Sequence, residues 1–143
     1  MTVEAILNRK GTRVSTIGRD ATVAAAAQRL NVDHIGALVV TDGARVVGII
    51  SERDIIAGIA RHGAMALEKR VEEFMSSPIV TCTRRENIKE VMTIMTRQRI
   101  RHLPVVEEDA LKGIVSIGDV VKHRLEELEM EAGVLHDLMI ARG

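Results

Sequence analysis

Gly48-Ile49-Ile50-Ser51-Glu52-Arg53-Asp54-Ile55-Ile56 decides the fold, because it is written twice. It returns as Gly113-Ile114-Val115-Ser116-Ile117-Gly118-Asp119-Val120-Val121, with Ser51 matched to Ser116 at an offset of 65 residues. Carried backwards without a gap, the same offset pairs Val40 with Val105, Leu38 with Leu103, Ile35 with Ile100, Val23 with Ile88 and Arg19 with Arg84. One register held across roughly 40 residues, with its Gly, Ser and Asp in place, marks an internal duplication.

Each half reads in the order β-α-β-β-α. A short strand is expected near Val14–Ile17 and again near Ile79–Cys82. A helix follows, Thr22–Val32 in the first half and Asn87–Gln98 in the second, where Ile88, Val91, Met92 and Met95 fall on one face. Thr22 and Asn87 are of the residue types that cap helix N-termini. Aliphatic strands come next, Ala37–Thr41 with Val46–Ser51, and Leu103–Val106 with Leu111–Ser116. Asp42-Gly43 is the stronger hairpin signal, of the type I′ kind, and Glu108-Asp109 the weaker. Strands this apolar suit a sheet covered on both faces. A second helix opens at Ser51 and at Ser116. The fold class expected is therefore α+β (mixed α/β), two β-α-β-β-α repeats in tandem.

The remaining segments frame the repeats. Residues 1–13 read as an N-terminal helix and linker, with Gly11 just past the helix end. Residues 14–62 form repeat 1, and 63–78 a connection with a helical piece around Leu67–Met75. Residues 79–124 form repeat 2 and 125–143 a helical extension. From Asp119 onward Val121, Leu125, Leu128, Ala132, Leu135 and Leu138 make an apolar stripe. It suits packing on its own domain or a contact with a second copy, and the spacing alone leaves both open.

Composition narrows the function. Twenty basic and twenty acidic residues give no net charge, which disfavours a nucleic-acid backbone as partner. The single aromatic residue is Phe74, so bases have no side-chain platform on which to stack. Lone Cys82 fits a reducing compartment. Met1-Thr2-Val3-Glu4 has no signal-peptide character, and no apolar run approaches the ~20 residues of a membrane span. A cytoplasmic protein off the membrane is expected. The five histidines lack zinc-ligand spacing, so no metal is expected. His123 with Glu126 or Glu127 reads as a helix-surface pair, and Glu126, Glu127, Glu129 and Glu131 as a solvated face. No nucleophile–base pair or phosphate loop is present, so no enzyme is expected.

Ser-x-x-Asp at a helix start has the spacing of a capping box: the Ser oxygen accepts from the N3 N–H, and the acid sits where the helix dipole favours it. That role alone accounts for Ser51–Asp54 and Ser116–Asp119. The same atoms suit a nucleotide, because a carboxylate accepts from both hydroxyls of a ribose and free helix N–H groups hold phosphate. Gly48 and Gly113 either clear space for such a ligand or relieve crowding between strands.

The doubled aliphatic-Gly-Ile-(Ile/Val)-Ser-x-x-Asp, with Arg101-His102-Leu103-Pro104-Val105 before its second copy, closely resembles the CBS (cystathionine β-synthase) domain. Two in tandem resemble a CBS pair, or Bateman module, over about Val14–Val121. The resemblance implies halves paired by a pseudo-twofold, with clefts that bind AMP, ADP, ATP, S-adenosylmethionine or NAD(H), and a motif Asp that grips ribose. It implies a homodimer, a protein target that reads the ligand state, and a regulatory role. A first cleft would join Ile49, Ser51, Arg53 and Asp54 to Val80, Thr81, Cys82, Thr83, Arg101, His102, Leu103 and Pro104. Arg101 offers a planar fork for phosphate, and His102 a further donor. A second would join Ile114, Ser116 and Asp119 to Thr16, Ile17, Gly36 and Ala37. There the Arg-His position holds Gly36-Ala37, so a cationic phosphate clamp is missing, with Lys10, Arg13 or a second copy as candidate substitutes. The first cleft is the preferred one.

Overall fold

The computed structural model describes residues 1–142. Helix α1 spans Val3–Lys10, strand β1 Thr16–Gly18, α2 Val23–Asp33, β2 Ala37–Asp42, β3 Arg45–Ser51 and α3 Glu52–His62. Then come α4 Ile88–Gln98, β4 His102–Glu107, β5 Ala110–Ser116 and α5 Ile117–Arg142. The chain divides into two compact units. Residues 13–81 with 106–112 form one, called here the first unit. Residues 1–12, 82–105 and 113–142 fall in the other, the second unit. Helix α1 thus belongs to the unit that carries repeat 2.

In the first unit β2 is central: β1 runs parallel to it, with Ile17 opposite Val40, and β3 antiparallel, with Ala37 opposite Ser51. Val23, Ala26 and Leu30 of α2 bring one helical face to Leu38, Val40 and Ile50, and this aliphatic cluster is the core. Thr22 caps α2 by accepting from Ala25 N at 3.1 Å. The connection between repeats is not an α-helix, as the sequence suggested, but two short 3-10 pieces, Gly63–Glu68 and Val71–Glu73. Its local pattern is helical, but its backbone is diverted. Val23 N donates to Lys69 O, Val71 N to Ala21 O, and Ser76 N to Ile49 O, so the segment is laced to α2 and β3 of its own unit. Phe74 then lies against α3, where a Cβ on Gly58 would stand 2.9 Å from its ring.

The second unit packs α1, α4 and α5 with residues 102–105 of β4 and 113–116 of β5. Val3, Ile6 and Leu7 of α1 are buried, as are Ile88, Val91 and Met95 of α4 and Leu103, Val105, Val115 and Val120. Asn87 caps α4 through Lys89 N. The strand expected at Ile79–Cys82 is reduced to a single parallel bridge, Cys82 with Val105. Helix α5 begins at Ile117, directly after Ser116, where the second helix is expected to open.

One surface reading left open is decided, and two are corrected. The α5 stripe does not pack on its own repeat: Leu125 is 54 % exposed and Leu135 63 %. Val120 and His123 are the positions turned inward instead. His123 is buried, and its Nδ1 lies 2.9 Å from Asp119 O rather than on a surface acid. Glu126 pairs with Arg9 of α1 and Glu127 with the Met1 amino group at 2.9 Å, so those two acids are docking contacts, not a bare solvated face.

The hairpins exchange the expected roles. Asp42 pairs with Arg45, so Gly43-Ala44 form the two-residue turn. Gly43 alone has positive φ there, 62°, the pattern of a II′ turn. In the second hairpin Glu108 (φ 51°) and Asp109 (φ 62°) both lie in the left-handed region, as type I′ requires. Side chains with a Cβ are strained there. Glu108→Asn with Asp109→Gly is therefore expected to stabilise the chain by about 1 kcal/mol, read as a higher urea midpoint at unchanged m.

Candidate functional site

Both Ser–Asp motifs are built as the spacing foretold. In the first unit Ser51 ends β3 and caps α3. Ser51 N donates to Asp54 Oδ2 at 2.8 Å, and Asp54 N to Ser51 Oγ at 3.4 Å. The Ser51 hydroxyl meets the same Oδ2 at 3.1 Å. Among the described residues the hydrogen bonds to the Asp54 carboxylate thus converge on Oδ2, leaving Oδ1 for another donor. In the second unit Ser116 N donates to Asp119 Oδ2 at 2.9 Å and Asp119 N to Ser116 Oγ at 3.1 Å. Here the additional partner is charged: Lys10 Nζ lies 2.7 Å from Oδ2 and 3.0 Å from Ile114 O. Burial alone would raise the Asp119 carboxyl, but the hydrogen bonds from Lys10 and Ser116 outweigh it and hold it below the usual aspartate range.

The strand that leads into each repeat's hairpin is tied to that repeat's own helix start. Glu52 N donates to Gly36 O at 3.0 Å, and Ala37 stands opposite Ser51. Ile117 N donates to Arg101 O at 2.8 Å. Gly36-Ala37 are therefore backbone neighbours of the Ser51 motif, and Arg101-His102 of the Ser116 motif. Sequence grouping by family resemblance set each pair with the opposite motif. No local sequence signal carries this tie, because it is a backbone hydrogen bond between segments some fifteen residues apart.

The other chosen residues divide by exposure. Arg53, Thr81 and Arg101 are exposed; Thr16, Gly36, Ile49, Val80, Thr83, His102 and Ile114 are half-buried. Ile17, Ala37, Cys82, Leu103 and Pro104 are buried. The Ile49 peptide groups are spent on Ser76, and Pro104 O accepts from Cys82 N. The glycines that precede the motifs admit neighbours of their own unit. A Cβ on Gly48 would stand 2.6 Å from Met75 Sδ and 2.9 Å from Ser76 O, and one on Gly113 2.7 Å from Leu7 Cδ2. Of the two roles weighed for them, relief of crowding is the one the packing supports.

A shallow groove of about 670 Å³ in the first unit, lined among others by Arg19, Arg45, Glu72 and Pro78, contains none of the sequence-chosen residues. Its Arg19 is already spent on Glu72 at 2.7 Å and Asp42 at 3.2 Å. Among the described residues no cluster of His, Cys, Asp or Glu has the arrangement of a metal site. No described helix is long and apolar enough to cross a membrane.

Comparison with known proteins agrees with the motifs. The chain matches the CBS domain over residues 3–61 and again over 71–126. It is 33% identical over 124 residues to an uncharacterized 17.7 kDa protein of Acidianus ambivalens, covering 85% of this chain and 74% of that one. A solved CBS-domain containing protein of Agrobacterium tumefaciens is similar at 44% identity and a TM-score of 0.84, covering 86% of this chain and 92% of its own. The CBS domain pair of protein MJ0100, solved with 5′-methylthioadenosine and S-adenosylmethionine, is similar at 26% identity and a TM-score of 0.78, over 89% and 98% of the two chains. Two matched copies spanning most of the sequence, each ending in its own Ser–Asp helix start, show that the chain belongs to the CBS-domain family and is a CBS-domain pair.

Proposed function

We propose that this CBS pair is a regulatory module that binds an adenosine-containing nucleotide, AMP, ADP or ATP foremost, with NAD(H) and S-adenosylmethionine as the other members of the class. One observation carries the reading: Asp54 keeps Oδ1 unspent, while its Oδ2 is shared with a hydroxyl that is able to rotate away. A ribose diol needs just such a carboxylate. The exposed guanidinium of Arg53, one residue before it on α3, suits phosphate. That a similar CBS pair holds two adenosine compounds supports the same ligand class here. The ligand acts by favouring the conformation to which it binds more tightly, and a partner protein reads the shift.

A thermal shift panel of AMP, ADP, ATP, S-adenosylmethionine and NADH tests this. Ligand at a hundred times its Kd is expected to add about 2.7 kcal/mol, a rise of several degrees. A flat panel would overturn the reading.

A second reading has its own observation. Leu125, Leu135, Leu138, Met139 and Ile140 leave an apolar row along α5 exposed. A module devoted to protein contacts, as a homodimer, would cover it. Under that reading sedimentation reports a dimer that no nucleotide perturbs.

A further inference from the structure

We infer that Lys10 sets the ligand chemistry of the second motif: it makes Ser116–Asp119 a seat for phosphorylated adenosine compounds and turns neutral or cationic ones away. The inference rests on the ribose role proposed for the motif aspartates and deepens it.

The two helix starts share one cap and differ in one partner. At Asp54 the extra bond to Oδ2 comes from the neutral Ser51 hydroxyl. At Asp119 it comes from an ammonium delivered by the last turn of α1. The duplication supplies no counterpart to that cation, since the 65-residue offset sets Met75 against Lys10. Lys10 is also placed to do more than close an ion pair. An ammonium has three N–H donors. Two are spent, on Asp119 Oδ2 and Ile114 O, and the side chain remains 32% exposed, so the third is open to a ligand.

A ribose hydroxyl that takes Oδ2 must share it with the ammonium or displace it. Adenosine offers the displaced charge nothing, and its binding loses the ion pair. S-adenosylmethionine brings a sulfonium, a second positive charge at the same place. A phosphate instead gives Lys10 a new anion within reach of the α5 N-terminus, where the helix dipole also favours negative charge. The first motif has no such filter.

The test uses the full chain carrying Asp54→Asn, so that the second motif reports, with calorimetric titration of AMP, ATP, adenosine and S-adenosylmethionine. Lys10→Met and Lys10→Arg are compared in that background, with circular dichroism to check the fold. The Asp54→Asn chain is expected to bind AMP at least about tenfold more tightly than adenosine, the worth of one charged hydrogen bond. Lys10→Met should bring that ratio close to one, and Lys10→Arg should keep most of it. An AMP-to-adenosine ratio unchanged by Lys10→Met overturns the inference and leaves the ribose reading standing. So does an Asp54→Asn chain that binds none of the four when the unsubstituted chain binds. If the unsubstituted chain binds none, the ribose reading itself fails and this inference with it.

Discussion

Gly48→Ala is expected to lower the melting temperature by roughly 5–10 °C, the consequence of about 1–3 kcal/mol of overpacking in a chain of this length. The new methyl would meet Met75 Sδ at 2.6 Å and the Ser76 carbonyl at 2.9 Å. The thioether end is able to swing aside, but the carbonyl is not. It accepts from Ile49 N, and Ser76 N donates back to Ile49 O at 2.8 Å. Moving it breaks the bridge that ties the connection to β3. Gly113→Ala meets only the side chain of Leu7, whose far end is flexible, and should cost less than half as much. Scanning calorimetry of the two variants decides the point. Equal losses would mean that the Ser76 backbone yields as easily as a leucine methyl.

The larger effect on binding is expected from Asp54→Asn. An amide keeps one oxygen to accept from Ser51 N, so the α3 cap survives with a loss below ~1 kcal/mol. It no longer accepts from two ribose hydroxyls as a charged group. Nucleotide affinity should fall about 10–100-fold, removing most of the ligand-induced thermal shift. Asp119→Asn should remove less, because that carboxylate already shares Oδ2 with Lys10. Titration of both variants with AMP compares them directly. Equal losses would contradict the ranking of the motifs, and no loss at Asp54 would leave its carboxylate as a helix cap alone.

What was legible in the sequence was what short-range chemistry writes. Thr22, Ser51 and Asn87 cap helices within three residues of themselves, and each does so in the structure. Alternation and apolar runs placed β2, β3, β4 and β5 within a residue or so of where they lie. The misses are all non-local. The turn at Glu108-Asp109 was legible but its I′ type was not, because both residues adopt positive φ against their own preference, with no glycine to announce it. Helices α2 and α4 also end on left-handed residues without the usual Gly or Asn, His34 and Arg99, yet their ends fall within a residue of the expected ones. The connection at 63–78 carries a helical pattern, yet backbone bonds to Ala21, Val23 and Ile49 override it. At the candidate site the capping boxes were foreseeable, and Lys10 is one of the cations the resemblance offers to the second cleft. Its pairing with Asp119 itself, across 109 residues, is what no local signal encodes. The buried face of α1, Val3, Ile6 and Leu7, sets the helix down in the second unit and carries Lys10 there.

Phe74, set against Gly58, carries the one benzene ring in the chain. With neither Trp nor Tyr, the polypeptide is nearly transparent above its peptide absorption bands. An adenine ring retained through purification would be the principal chromophore of the sample. The ultraviolet spectrum of freshly prepared protein, taken before any titration, therefore reports occupancy with almost no background to subtract.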